Sequence, residues 1–187
     1  MWHLLGAAVT SGDGPFAQPV VATSDPATAA PRGRIVVLRG ADPQAATLDF
    51  YTDRRSLKIA HLSGNGQVAF TFWDPESRLQ CCAGGTARII LDDRRIEVFD
   101  ELPKHGRRAY ATVQSPGTVL AGPASGLPAD WDDRQVAETD YALANFVIVR
   151  TVLHWADVLH LDRAGNHRLA ATRDADTQPW SFHYVVP

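Results

Sequence analysis

The sequence predicts a mainly β protein, a barrel with helices at its periphery, and two observations predict it. Short β-branched and aromatic runs recur along the chain, separated by turn-forming Gly, Pro, Asp and Asn. Helical patterns are few and do not alternate regularly with the strands, which argues against a parallel doubly wound sheet.

The elements follow in order. Residues 1–16 form an N-terminal arm or short helix around Trp2, Leu4 and Leu5, closed by Ser11-Gly12-Asp13-Gly14-Pro15. Pro19–Ser24 reads as a strand and Asp25–Gly33 as a turn. Arg34–Arg39 is a β-branched strand, and Thr47–Thr52 the next. Asp53–Leu62 is expected to be helical, capped by Asp53 and stopped by Gly64-Asn65-Gly66. Gln67–Trp73 alternates as a strand, and Asp74–Ser77 turns the chain into a long strand over Leu79–Leu91. A helix starts at Asp92–Arg95 and ends near Leu102-Pro103. Residues 115–135, rich in Pro, Gly and Ala, form an irregular loop. Strands over Asn145–Leu161, His167–Thr172 and Ser181–Val186 fill the C-terminal part. The 187 residues, 45% of them hydrophobic, suit one domain with a real core.

Charge and composition narrow the function. A formal net charge of -3 does not fit a nucleic-acid binder. No apolar run reaches the ~20 residues of a membrane span, and no signal peptide stands out near Leu4–Val9. Cys81 and Cys82 are adjacent, so a disulfide between them would be strained; small buried hydrophobes in a reducing, cytoplasmic setting is the expectation. The seven histidines show no metal-ligand spacing, so no metal site is expected. Gly64-x-Gly66-x-x-Ala69 matches a dinucleotide fingerprint only superficially, because it lies after a helix and before a strand.

The informative stretch is Tyr51-Thr52-Asp53-Arg54-Arg55-Ser56-Leu57-Lys58. Cations at a helix start are unfavourable unless an anion neutralises them. A docked phosphate, held by N–H groups, hydroxyls and cations, explains the pattern. A solvated basic helix end with Asp53 as counter-charge explains it equally well. Arg34 and Arg39 bracket an apolar strand and, five residues apart, are expected on opposite faces.

Five motifs in order resemble the pyridoxamine 5'-phosphate oxidase family. They are Arg34-Ile35-Val36-Val37-Leu38-Arg39; Phe50-Tyr51-Thr52 with Ser56 and Lys58; Phe70-Thr71-Phe72-Trp73; Arg78-Leu79-Gln80; and Gln114-Ser115. Trp155 and His167-Arg168-Leu169 extend the likeness, which spans roughly residues 17 to 187. The resemblance implies an antiparallel, Greek-key-like split barrel that dimerises with itself and binds FMN at the dimer interface. Arg34, Thr52, Ser56 and Lys58 would hold the FMN phosphate, with Ile35, Val36, Val37, Arg39 and Tyr51 in the same cofactor-binding segments. Gln80 would face the isoalloxazine edge. Gln114, Ser115 and Trp155 would reach the flavin from the partner chain, and Arg168 would touch a small-molecule substrate. No catalytic acid or base is implied, because the redox chemistry belongs to the flavin.

The likeness has gaps. Leu57 stands where the family has Arg before the lysine, leaving Arg54 or Arg55 as substitutes. Glu101 and His105 stand where true pyridoxamine phosphate oxidases carry Arg and Ser for the substrate phosphate. Ala170 replaces the second His of H-R-L-H-x-R, and Arg173 is displaced by one, which changes its face in a strand. The expected function is an FMN-dependent oxidoreductase with a kept flavin half and an altered substrate half. A non-catalytic flavin carrier or sensor is the alternative, and a split barrel binding heme or deazaflavin F420 a third reading.

Overall fold

A computed structural model describes every residue except Thr177. The strands are β1 (Val20–Ser24), β2 (Pro31–Ile35), β3 (Leu38–Asp42), β4 (Thr47–Asp53), β5 (Gln67–Asp74), β6 (Leu79–Ile90), β7 (Phe146–His160), β8 (His167–Thr172) and β9 (Ser181–Val185). The α-helices are α1 (Trp2–Ser11), α2 (Leu57–Gly64), α3 (Asp93–Asp100) and α4 (Lys104–Arg107), and 3-10 turns cover Arg108–Tyr110 and Val136–Ala144.

The strands form a mainly antiparallel sheet in the order β2-β1-β5-β6-β7-β4-β3, with β8 paired to β7 and β9 to β8. Its pairing does not close into a ring, so the barrel is split. The fifteen-residue β7 has β6 and β4 as neighbours on the path and also pairs with β8. Hairpin chemistry sets the β5–β6 register. Asp74 accepts bonds from the Glu76 N–H at 3.0 Å and the Ser77 hydroxyl at 2.5 Å, and Asp74 then pairs with Leu79.

The chain forms two compact units. The first comprises Met1–Phe50, His61–Arg88 and Arg150–Pro187, the second Tyr51–Ala60 and Ile89–Val149. The first buries Phe16, Val21, Leu38, Leu48, Phe50, Phe70, Phe72 and Leu153. Side chains of this size contribute roughly 1.5–3 kcal/mol each when taken from water. In the second, Phe99, Tyr110, Trp131, Phe146 and Ile148 cluster, with the Tyr110 and Phe146 rings edge to face at 4.9 Å.

Four expected elements differ. The turn expected over Asp25–Gly33 ends before Pro31, where β2 begins and pairs with β1. The run Arg34–Arg39 is two strands: β2 ends at Ile35 and β3 starts at Leu38. Between them, the Val36 N–H donates to the Pro19 carbonyl and the Leu38 N–H to that of Ala17. The β3–β4 register also shifts between Leu38 and Gly40. Arg39 therefore sits at a bulge, and two-residue alternation does not fix its direction. The helix expected from Asp53 starts at Leu57, because β4 runs on through Asp53. The helix expected to run from Asp92 to Leu102-Pro103 ends at Asp100, and Pro103 starts the separate α4. Glu101, just past the end of α3, and His105, in α4, thus share no helical face, and both are exposed.

Candidate functional site

Strand β4 delivers Thr52 into the second unit, and the turn after it delivers Ser56 and Lys58. Thr52 and Ser56 are buried, at 7% and 6% exposure. Their hydroxyls lie 3.4 Å apart, and the Lys58 ammonium donates to Thr52 Oγ1 at 2.8 Å and to Ser56 Oγ at 3.2 Å. One cation and two hydroxyl donors thus converge at the start of α2. This donor set suits a phosphate, whose oxygens accept charge-assisted hydrogen bonds.

Asp53 does not cap α2. Its carboxylate accepts from the Arg55 backbone N–H at 2.8 Å and pairs with the Arg55 guanidinium at 2.6 Å. Arg55 reaches further, to the Thr112 carbonyl and hydroxyl, both at 3.0 Å, and the Asp53 pairing raises its already high pKa. Arg55 is therefore a structural clamp and no substitute for the cation missing at Leu57. Arg54 is exposed, and its N–H donates to the Asn145 carbonyl. Tyr51 is half-buried against the Phe146 ring at 5.2 Å. Gln114 and Ser115 are exposed in the loop that Arg55 anchors, and the Thr112 hydroxyl donates to the Gln114 carbonyl.

Arg34 lies on β2 in the first unit. It donates to Thr23 Oγ1 at 2.7 Å, and Thr23 Oγ1 is also bonded to Nδ1 of His61 at 3.0 Å. His61 is 2% exposed, and its Nε2 has no partner among the described residues. Burial lowers the Arg34 pKa, because its charge leaves water for neutral oxygens. Ile35 is exposed, Val36 buried, Val37 half-buried and Arg39 exposed.

A pocket of about 270 Å³ brings together three expected residues of the first unit, Gln80, Trp155 and Arg168, and adds Cys82, Asp157 and Thr172. Alternation puts Gln80, Cys82 and Gly84 on one face of β6. Trp155 packs its indole on Gly84, where a Cβ would lie 2.5 Å from Cζ2. Arg168 Nε donates to Asp157 at 3.1 and 2.9 Å, and Nη2 stands 2.9 Å from Oδ2. Arg173 is engaged elsewhere: Nε donates to the Leu153 carbonyl and Nη1 to that of Asp176, both at 2.7 Å. It does not restore the displaced motif arginine.

Sequence reasoning missed Thr23, His61 and Asp157. Each acts across strands or between strand and helix, and no local spacing announces such pairs. The cysteines are free as expected, but only Cys81 is buried; Cys82 is half-buried at the pocket. Burial pushes the Cys81 thiol up to about 11. Only the thiolate attacks electrophiles, so iodoacetamide at mildly alkaline pH is expected to label Cys82 and spare Cys81 in the folded protein. Peptide mass spectrometry reads this, and labelling of both at equal rate would contradict the burial.

Among the described residues no cluster of His, Cys, Asp or Glu could hold a metal ion, and no helix is long and apolar enough to cross a membrane.

The fold and the convergent phosphate-type donors define a class, the split-barrel proteins built around an open antiparallel sheet. Residues 2–91 match the family model "Pyridoxamine 5'-phosphate oxidase, FMN-binding domain", so the N-terminal part of the chain is similar to that domain. No curated protein matches the chain. Among solved structures, a pyridoxamine 5'-phosphate oxidase-related FMN-binding protein from Nostoc punctiforme is similar at 22% identity and a TM-score of 0.75, over 99% of this chain and 94% of that one. PhzG from Burkholderia lata, solved with tetrahydrophenazine-1-carboxylic acid, is similar at 17% identity and a TM-score of 0.74, over 99% and 89%. A putative pyridoxamine 5'-phosphate oxidase from Listeria innocua is similar at 11% identity and a TM-score of 0.51, over 83% and 94%. At these identities the likeness carries the fold.

Proposed function

We propose that this protein is an FMN-dependent oxidoreductase acting on a small substrate, assembled as a homodimer. The observation that carries the reading is the convergence of the Lys58 ammonium with the buried Thr52 and Ser56 hydroxyls. Residues 2–91, which match the family's FMN-binding domain, contain this group together with Arg34 and Gln80. Lys58, Thr52 and Ser56 would hold the phosphate. Gln80 offers both a donor and an acceptor to the ring's polar edge. Gln114 and Ser115, on an exposed loop, and Trp155, 36% exposed, are the contacts offered to the neighbouring copy's cofactor. Bound flavin supplies the hydride chemistry, and the protein positions it and excludes water.

The test compares FMN with riboflavin, which lacks the phosphate. Lys58→Met is expected to weaken FMN binding by about 10- to 100-fold, the loss of one charge-assisted contact. Riboflavin affinity is expected to stay unchanged. Quenching of flavin fluorescence on titration reads both. Equal losses for the two ligands would remove Lys58 from the phosphate site, and a protein that takes up no FMN would end the reading. Bleaching of the bound flavin by substrate under anaerobic conditions separates an enzyme from a carrier.

A further inference from the structure

The pocket over Trp155 carries chemistry that the phosphate group at Lys58 does not use. Its floor is one face of β6, β7 and β8. Trp155 and Asp157 share this face on β7, with Thr172 opposite Trp155 and Ala170 opposite Asp157 on β8. Arg168 stands diagonal to Asp157, within reach of a long side chain. The Arg168 guanidinium meets both carboxylate oxygens of Asp157. Asp157 is four-fifths buried at its side chain, while Arg168 is 42% exposed.

We propose that Asp157 determines the selectivity of this pocket, making it a site for an uncharged planar heterocycle and closing it to phosphate esters and carboxylates. The inference rests on the flavoprotein reading for its biological meaning. An anion entering here meets an arginine whose charge is already matched by a carboxylate that cannot diffuse away. Displacing Asp157 would leave a largely buried carboxylate without its partner. Arg173 does not line the pocket, because its guanidinium is turned to the Leu153 and Asp176 carbonyls. What the pocket does offer suits a flat neutral ring. Trp155, steadied on Gly84, gives an aromatic surface for stacking. Gln80 and Thr172 give donors and acceptors to the ring's rim. A ring-shaped substrate without a charge has this chemistry.

The test uses two probes of one shape that differ by one charge, nicotinamide and nicotinate. Calorimetry reads their binding to the full-length protein, with and without FMN. The wild type is expected to bind nicotinamide at least ~10-fold more tightly, a difference of about 1.4 kcal/mol. Asp157→Asn frees the Arg168 charge and is expected to reverse the preference. Arg168→Gln leaves Asp157 alone and widens it, and the double variant returns it to the wild-type sense. A wild type that prefers nicotinate, or binds neither probe at millimolar concentration, overturns the proposal. So does a ratio that neither single variant shifts. Retention of nicotinamide binding on FMN loading identifies a substrate pocket; loss means that the flavin ring fills it and overturns the proposal. The FMN-free arm reads the selectivity even if no FMN binds, so failure of the flavoprotein reading remains separate from failure of this one.

Discussion

Replacing Arg55 with Met is expected to cost about 3 kcal/mol of stability, and to loosen the loop that carries Gln114 and Ser115. The estimate comes from breaking a buried pair by removing one partner. The Asp53 side chain is 3% exposed and pairs with a guanidinium at 2.6 Å, so the substitution leaves a buried carboxylate short of its main counter-charge. The same guanidinium donates to the Thr112 carbonyl and hydroxyl at 3.0 Å each. Arg55 therefore pins the loop from 57 residues away in sequence, and its loss frees the backbone just before Gln114. Urea denaturation measures the first effect, and faster amide exchange over residues 112–118 the second. Arg55→Lys is expected to recover only part of either, because an ammonium cannot reproduce the planar fork. A Met variant as stable as the wild type would show that Asp53 is rehydrated at little cost.

Gly85→Ala is expected to be the most damaging single methyl in the first unit, destabilising it by about 3 kcal/mol or more. The added Cβ would overlap the Val152 carbonyl oxygen and lie 2.9 Å from the His154 nitrogen and 3.0 Å from the Leu153 Cα. These are backbone atoms of β7, so β6 and β7 must part. Gly84→Ala is a control with the opposite character. There the three atoms nearest the Cβ all belong to the Trp155 indole, a side chain that can rotate away. Its expected signature is a changed tryptophan fluorescence with a smaller loss of stability. A fall in the urea midpoint at constant slope would report lost stability in Gly85→Ala. An unchanged midpoint would mean that the strands lie further apart than described.

The convergence of Thr52, Ser56 and Lys58 was legible because it is local. Thr52, Ser56 and Lys58 lie within seven residues, and a strand end followed by a helix start brings them together. The basic residues between them were misleading for the same reason: Arg55 looks like a phosphate ligand until Asp53 and Thr112 are seen to hold it. The two-strand break in Arg34–Arg39 was hidden because Val36 and Val37 are good strand formers. Backbone bonds from Val36 to Pro19 and from Leu38 to Ala17, rather than propensity, turn the chain there.

By itself, the amino-acid sequence determined the mainly β class, most strand positions and the resemblance to the family whose model residues 2–91 match. Alternating apolar residues and turn chemistry act over a few neighbours and are written in chain order. Tertiary structure alone decided the pairing partners: His61 with Thr23, Asp157 with Arg168, Trp155 on Gly84, Arg173 on backbone carbonyls. A charge or a ring takes its meaning from what lies across the sheet, and strand order and register set that neighbour, not the spacing along the chain.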